Sequence, residues 1–256
     1  MSSTIKQPRI TLVGAGPGDI ELITLKGLKA IQSADVILYD ALVNEELLKE
    51  APNAKYFFVG KRKGFKALKQ DEINKLMVEQ AIQHGHVVRL KGGDSFVFGR
   101  GYEEIQHAQL FGIPTSVVPG ISSSIAVPAL AGIPVTHRGI SNSFTVITAT
   151  LSDGSLNPEI KNLPQLNGTF VILMGLSKLA EIAAIFADAG RTDEAFGIVS
   201  NGSLSNQKVL VGNTETIAYL AEYEKVKAPA VIVIGEVVRI SDFHRNGAYI
   251  YTHYLN

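Results

Sequence analysis

Two glycines and an acid, Gly92-Gly93-Asp94, interrupt the stretch Val87 to Gly101 (VVRLKGGDSFVFGRG), the part of the chain best equipped to meet a ligand. Val87, Val88 and Leu90 read as a buried strand, and a helix is expected to restart beyond Arg100. Glycine lacks the Cβ that blocks close approach of a backbone to a ligand, and it tolerates positive φ. In open α/β sheets, ligands bind at the carboxyl ends of strands, where this loop would lie. A glycine turn with Asp94 as a helix cap is the other reading, and the loop alone leaves both open.

A second glycine loop, Gly14-Ala15-Gly16-Pro17-Gly18-Asp19, follows the apolar run Ile10 to Val13. It lacks the third glycine of the dinucleotide fingerprint, and Pro17 removes an N–H that a pyrophosphate would need. Asp40, about 20 residues further on at the end of another apolar run, imitates the ribose-binding acid of that fold. A dinucleotide-dependent oxidoreductase using nicotinamide or flavin therefore stays open at this point.

Basic residues gather after the same strand ends. Lys61, Arg62 and Lys63 follow the run Tyr56 to Val59, with Lys66 and Lys69 behind them, Arg100 beyond the glycine loop and Arg138 beside His137. Each reads either as solvated charge or as part of a mouth for a small carboxylated or phosphorylated anion. Gly120-Ile121-Ser122-Ser123-Ser124 lacks the second glycine of a nucleophile elbow, so these serines are expected to cap a helix and to be available to a ligand. Six scattered histidines and no cysteine give no metal-ligand spacing, and no metal is expected.

The whole chain narrows the classes further. Its 256 residues are 46% hydrophobic and 19% charged, with formal net charge zero, which argues against a nucleic-acid-coating or membrane-surface protein. The absence of cysteine excludes disulfides and thiol nucleophiles and suits a reducing compartment. No apolar run approaches the roughly 20 residues of a bilayer span, and MSSTIKQPRI has no signal-like core. A cytoplasmic protein with no nucleic-acid or membrane partner is expected.

Elements that would position these groups alternate. Strands are predicted at Ile10–Val13, Val36–Tyr39, Tyr56–Val59, Val87–Leu90 and Thr115–Val118, with helices after the first, within 71–83 and over 102–111. Asn44 is placed to cap a helix through Leu48. Further strands are predicted at Phe144–Ala149, Phe170–Leu173, Ala195–Val199, Lys208–Val211 and Ala230–Gly235. The alternation predicts an α/β fold of two α/β domains with mostly parallel central sheets, 1–130 and 143–256, joined by a Pro- and Gly-rich linker at 131–142.

Taken together, VGAGPGD, LYDALV, VGKR, VVRLKGGDSFVFGRGYEE, VVPGISS, AGIPVTHRG, ILMGL, SNGS and the Ala-Pro-Ala before VIVIGEVV resemble the uroporphyrinogen-III C-methyltransferase branch of the tetrapyrrole methylases. The resemblance runs in the family's order from about residue 9 to residue 240. It implies the tetrapyrrole methylase fold, with the active site in the inter-domain cleft, and a homodimer. It implies S-adenosylmethionine as methyl donor, S-adenosylhomocysteine as product, and a small-molecule tetrapyrrole substrate. The reaction implied is methylation of uroporphyrinogen III at C2 and C7, via precorrin-1 to precorrin-2, the precursor of sirohaem and cobalamin. Other members of the class, acting on later corrin intermediates, are the alternative within the family.

Carried over by position, the resemblance assigns cofactor contacts to Pro17, Gly92, Gly93, Asp94, Val97, Ser122, Ser123, Met174, Gly202, Ala228, Pro229 and Ala230. It makes Asp40 a proton acceptor, Lys61 a proton donor, and Arg100 a substrate-side arginine that could also serve as base. Arg62 and Arg138 extend the basic mouth toward the substrate's carboxylates. Four departures stand out: Ser95 where proline is usual, Thr148-Ala149-Thr150 where threonine-glycine-histidine is frequent, Ser200 before Asn201-Gly202 in place of glutamate, and Ser122-Ser123 where threonine-alanine is common.

Overall fold

Apolar alternation within the strands decides both faces of the first sheet. The computed structural model describes residues 7–60, 68–241 and 250–252. Contacts divide the chain into two compact units, residues 1–122 and 123–256.

In the first unit, β1 (Arg9–Gly14), β2 (Val36–Tyr39), β3 (Lys55–Phe58), β4 (His86–Lys91) and β5 (Thr115–Val118) form one sheet of order β3-β2-β4-β1-β5. Every pairing in it is parallel. Side chains of a strand point alternately to opposite faces. Val36, Leu38 and Val87 thus join Met77 and Ala81 of α2 (Gln70–His84) and Ile105 and Ala108 of α3 (Gly101–Leu110). Ile37, Tyr39, Val88 and Leu90 face the other way, with Ile31 of α1 (Leu25–Gln32) and Leu47. The predicted helix after Asn44 is a 3-10 helix, Glu45–Glu50, whose first N–H groups Asn44 caps through Glu46 N at 3.1 Å.

The strand order matters for function. From β1 the chain crosses over β4 to reach β2, and from β4 it crosses over β1 to reach β5. The connections after β1 and β4 therefore leave in opposite directions, and the two glycine loops flank the switch point where α/β sheets open a crevice.

The second unit holds β6 (Phe144–Thr148), β7 (Thr169–Leu173), β8 (Ala195–Ser200), β9 (Lys208–Asn213), β10 (Ala230–Ile234) and β11 (Ile250–Thr252), in the order β11-β9-β8-β10-β7-β6. Here the expectation of a mostly parallel sheet is corrected. Only β6 and β7 run parallel, while β7–β10, β10–β8, β8–β9 and β9–β11 are antiparallel. The link from β8 to β9 is too short for a crossover helix, and antiparallel pairing is what a short turn permits. One face packs on α5 (Leu179–Asp188) and α6 (Ile217–Tyr223) through Ile182, Phe186 and Ile217.

The other face receives α4 (Ser123–Leu130), and this corrects the domain boundary. Val127, Ala131 and Ile133 are buried with Val171, Val199 and Val233. The units meet at Ser122–Ser123, so the first half of the expected linker belongs to the second unit's core. The polarity of AGIPVTHRGISN concealed the buried Ala131 and Ile133, with Val135 partly buried against the same cluster.

Candidate functional site

Three strand ends of the first unit come together as bare backbone. A Cβ on Gly14 would lie 2.5 Å from Gly120 N, and one on Gly120 only 2.2 Å from Gly93 O. Gly16 and Gly93 exchange backbone hydrogen bonds, at 3.2 Å from Gly16 N and 2.7 Å from Gly93 N. The loops after β1, β4 and β5 are thus stitched at a separation only glycine allows. Pro17 follows directly on this bridge, half-buried.

Asp94 secures the third loop. Its Oδ1 accepts from Phe96 N at 2.8 Å and its Oδ2 from Gly120 N at 3.0 Å. The carboxylate therefore does not cap α3, one of its two expected roles, but ties the β4 loop to the β5 loop. Val97 N donates to Asp94 O at 3.3 Å, and Ser95 O accepts from Gly101 N at 3.1 Å, folding the loop back on itself. Phe98 and Arg100 adopt positive φ, 52° and 58°, on either side of Gly99. Non-glycine residues in this region carry strain that clusters at ligand-binding loops. Ser95 is completely buried, and its Oγ has no hydrogen-bond partner among the described residues.

Asp40 stands one residue past β2 and meets two cations from β4. Arg89 Nη2 donates to its Oδ1 at 2.6 Å, and Lys91 Nζ lies 3.7 Å from Oδ2. Behind them Glu104 of α3 takes Arg89 Nε at 3.0 Å and Lys91 Nζ at 3.1 Å on one oxygen. Burial opposes the Arg89 charge, but Glu104 and then Asp40 outweigh it and raise its pKa. For Lys91 burial prevails, aided by Arg89, and the pKa is lowered. The sequence reading missed this cluster. The sequence shows only that Arg89 and Lys91 alternate with Val88 and Leu90 at a predicted strand; that all six residues of β4 are buried is seen in the structure.

The remaining expected residues divide between the units. Arg100 is half-exposed, and its guanidinium forms two hydrogen bonds to Glu103, at 2.9 and 2.6 Å. The bond to Glu103 raises its pKa, so it is a poor base and a durable cation. Lys61 and Arg62 lie outside the described residues. Gly60 before them abuts the Asp40 loop, since a Cβ there would be 2.4 Å from Ala41 N. Ser122 closes the first unit and Ser123 opens α4.

In the second unit, Met174 is exposed at φ 53°, and its carbonyl accepts from Thr150 Oγ1 at 2.7 Å. Thr150, at the position where the resemblance leads one to expect histidine, thus has a backbone partner. Gly202 lies so close to α4 that a Cβ would meet Val127 Cγ1 at 2.4 Å. Asn201 N donates to Pro229 O at 2.9 Å and Ser200 Oγ to Lys227 O, so the Gly202 turn and the Ala228-Pro229-Ala230 segment form one rim. Arg138 is exposed within a turn closed by His137 N and Ser141 O.

The dinucleotide reading finds no geometric support. Behind Gly18 comes a 3-10 turn, Ile20–Leu22, capped by Asp19 itself, and α1 starts only at Leu25. The helix N-terminus that would face a pyrophosphate is thus absent from that loop.

Comparison with known proteins gives the family. Residues 9–218 match the family model of the Tetrapyrrole (Corrin/Porphyrin) Methylases. A uroporphyrinogen-III C-methyltransferase of Methanocaldococcus jannaschii is 48% identical over 238 residues, covering 91% of this chain and 98% of that protein. A siroheme synthase of Actinobacillus pleuropneumoniae is also 48% identical, but this chain spans only 48% of its length. Among solved structures, the uroporphyrin-III C-methyl transferase of Thermus thermophilus complexed with S-adenosylhomocysteine superposes with a TM-score of 0.77 at 38% identity, covering 91% of this chain and 99% of that one.

Proposed function

The chain belongs to the tetrapyrrole methylases, and from that premise we propose that it is an S-adenosylmethionine-dependent methyltransferase acting on uroporphyrinogen III. Two successive transfers, at C2 and C7, give precorrin-2 by way of precorrin-1. The observation that carries the reading is the crossing of Gly14 and Gly120 against Gly93 O, where a Cβ on either glycine would strike the backbone of a neighbouring loop, so that three strand-end loops meet as bare backbone at the switch point. Relatives named uroporphyrinogen-III C-methyltransferase, and a neighbour crystallised with S-adenosylhomocysteine, support the choice of donor and substrate.

In the first unit Pro17, Gly92, Gly93, Asp94, Val97 and Ser122 would contact the donor; the same role for Ser123, Met174, Gly202 and Ala228 to Ala230 rests on the family resemblance. When bound, the donor's sulfonium supplies an electrophilic methyl group. The chain's own part is alignment, because holding reactants at near-attack distance removes much of the barrier of a bimolecular transfer. The stitched loops do this by leaving the backbone little freedom.

A pyrrole carbon that gains a methyl group must lose positive charge through a proton. Asp40 takes that proton, since its carboxylate is the member of the charged cluster with surface open to a ligand. Lys61 is the proton donor where the ring system tautomerises, a step in which a second ring proton leaves to solvent so that the product stays neutral, and Arg62, Arg100 and Arg138 meet the substrate's carboxylates. Arg100 serves as a binder rather than a base, because Glu103 keeps it protonated.

The test is calorimetric titration with S-adenosylhomocysteine, followed by anaerobic incubation with uroporphyrinogen III and S-adenosylmethionine. Products carrying one and then two added methyl groups are expected by mass spectrometry. Failure to bind the nucleoside at millimolar concentration would sink the reading. Asp40→Asn should lower turnover by about 10²–10⁴-fold, the usual contribution of a positioned acid–base group, with nucleoside affinity retained.

A further inference from the structure

We infer that Arg89, Lys91 and Glu104 are positioning residues for Asp40: each cation holds one oxygen of its carboxylate, and Glu104 is the buried counter-charge that keeps both cations in place. The inference rests on the reading of Asp40 as proton acceptor.

Strand alternation puts Arg89 and Lys91 on the same face of β4 as Val87, the face covered by α2 and α3. There they meet Glu104 in the second half of the first turn of α3. Side-chain exposure is 2% for Arg89, 5% for Lys91 and 0% for Glu104, against 29% for Asp40. The cluster is thus closed except at one carboxylate. Its formal charges sum to zero, and without Glu104 two buried cations would share a single half-open anion.

Such a cluster is a poor way to gain stability, because apolar residues of equal volume usually do as well or better. What it supplies is orientation. Arg89 is anchored by four partners: Asp40, Glu104, and the carbonyls of Leu90 at 3.2 Å and Leu38 at 3.4 Å. Glu104 Oε1 also takes a hydrogen bond from Gln70 of α2 at 3.1 Å, and Gln70 is braced by the neutral Asn74. Asp40 is therefore hydrogen-bonded at Oδ1 by Arg89 and faced at Oδ2 by Lys91 at 3.7 Å, an ion-pair distance, with both cations buried.

Lys91 is the vulnerable member. Burial and then Arg89 drive its proton off, while Glu104 and Asp40 retain it. Glu103 also faces Lys91 from α3, but Glu103 is paired with Arg100. As pH rises, Lys91 loses its charge before Arg89 does, and Oδ2 of Asp40 loses its cation.

The experiment compares wild type, Glu104→Gln, Lys91→Arg and Asp40→Asn. Glu104→Gln keeps the shape and a hydrogen-bond acceptor but removes the counter-charge. Its alkaline limb of kcat should move down by about one pH unit or more, the effect of losing one opposite charge at contact distance. S-adenosylhomocysteine affinity should stay within about twofold of wild type. Lys91→Arg, permanently charged, should abolish that limb. Carbon and nitrogen NMR of the Lys91 side chain gives a readout independent of turnover, and deprotonation at lower pH is expected in both Glu104→Gln and Asp40→Asn. An unmoved Lys91 titration in Glu104→Gln overturns the inference, as does loss of cofactor affinity in step with kcat. Wild-type turnover in Asp40→Asn, with Lys91 shifted as expected, instead removes Asp40 as the base and leaves the charge cluster standing.

Discussion

The carboxylate of Asp94 accepts the backbone N–H of Gly120, 26 residues away, at 3.0 Å. One side chain thereby joins the loop after β4 to the loop after β5 across the end of β1. Because the other oxygen holds Phe96 N, the acid cannot rotate away without leaving a donor unpaired.

Asp94→Ala should accordingly weaken S-adenosylhomocysteine binding by at least about tenfold and lower stability by about 1.5–3 kcal/mol, the range for hydrogen bonds to a charged group. Asp94→Asn retains one acceptor and should fall between the two. Calorimetry and urea denaturation of the three proteins check this ordering. Equal affinity in Asp94→Ala would remove the loop from the cofactor site.

Gly120→Ala places a Cβ 2.2 Å from the carbonyl oxygen of Gly93, where backbone faces backbone on both sides. It should cost about 3 kcal/mol or more, or prevent folding, because neither neighbour can rotate out of the way. Gly112→Ala is the control: its φ is +68°, but nothing lies within 4 Å. Its cost should stay near 1 kcal/mol, the strain of a left-handed alanine. Similar unfolding midpoints for the two variants would refute the close crossing.

Ser95→Ala should stabilise the protein by about 1 kcal/mol. The serine hydroxyl is completely buried with no partner among the described residues, and a buried unsatisfied hydroxyl carries a desolvation penalty. Chemical denaturation decides it. Destabilisation by a similar amount would mean that the hydroxyl has a partner, such as an ordered water.

His86 makes stability pH-dependent. It is buried at the start of β4, with Nε2 2.9 Å from Thr11 Oγ1 and Nδ1 3.0 Å from Ser33 O, and burial lowers its pKa below 6.5. The folded protein thus binds this proton less readily than the unfolded chain. The stability linked to it is whole above about pH 6.5 and is lost as pH falls toward the depressed value. Urea unfolding from pH 8 to pH 5 should show a decline that His86→Gln lacks, at most about 1.4 kcal/mol per pH unit for one proton. Parallel profiles for the two proteins would dismiss the histidine as the source.

Local pattern made much of this legible. Ile10–Val13 and Val36–Tyr39 are apolar enough to be strands wherever they sit, and Gly92-Gly93-Asp94 marked a loop built for close approach. Other features were hidden by the same locality. Arg89 and Lys91 look like solvated charges until Glu104, a helix away, is seen to face them. Val127, Ala131 and Ile133 look like a linker's edge until the second sheet supplies their partners.

By itself, then, the order of residues determined the α/β class, most of the strand positions and the family. These depend on hydrophobic period and on motifs read within a few neighbours. The tertiary structure alone decided that β1 and β4 are adjacent, that Gly14, Gly93 and Gly120 cross there, and that the second sheet is largely antiparallel. It alone showed Asp94 as a tie between two loops and gave Asp40 its two cations. Strand order and buried ion pairs join residues tens of positions apart, and their energies arise only when the chain between them has folded.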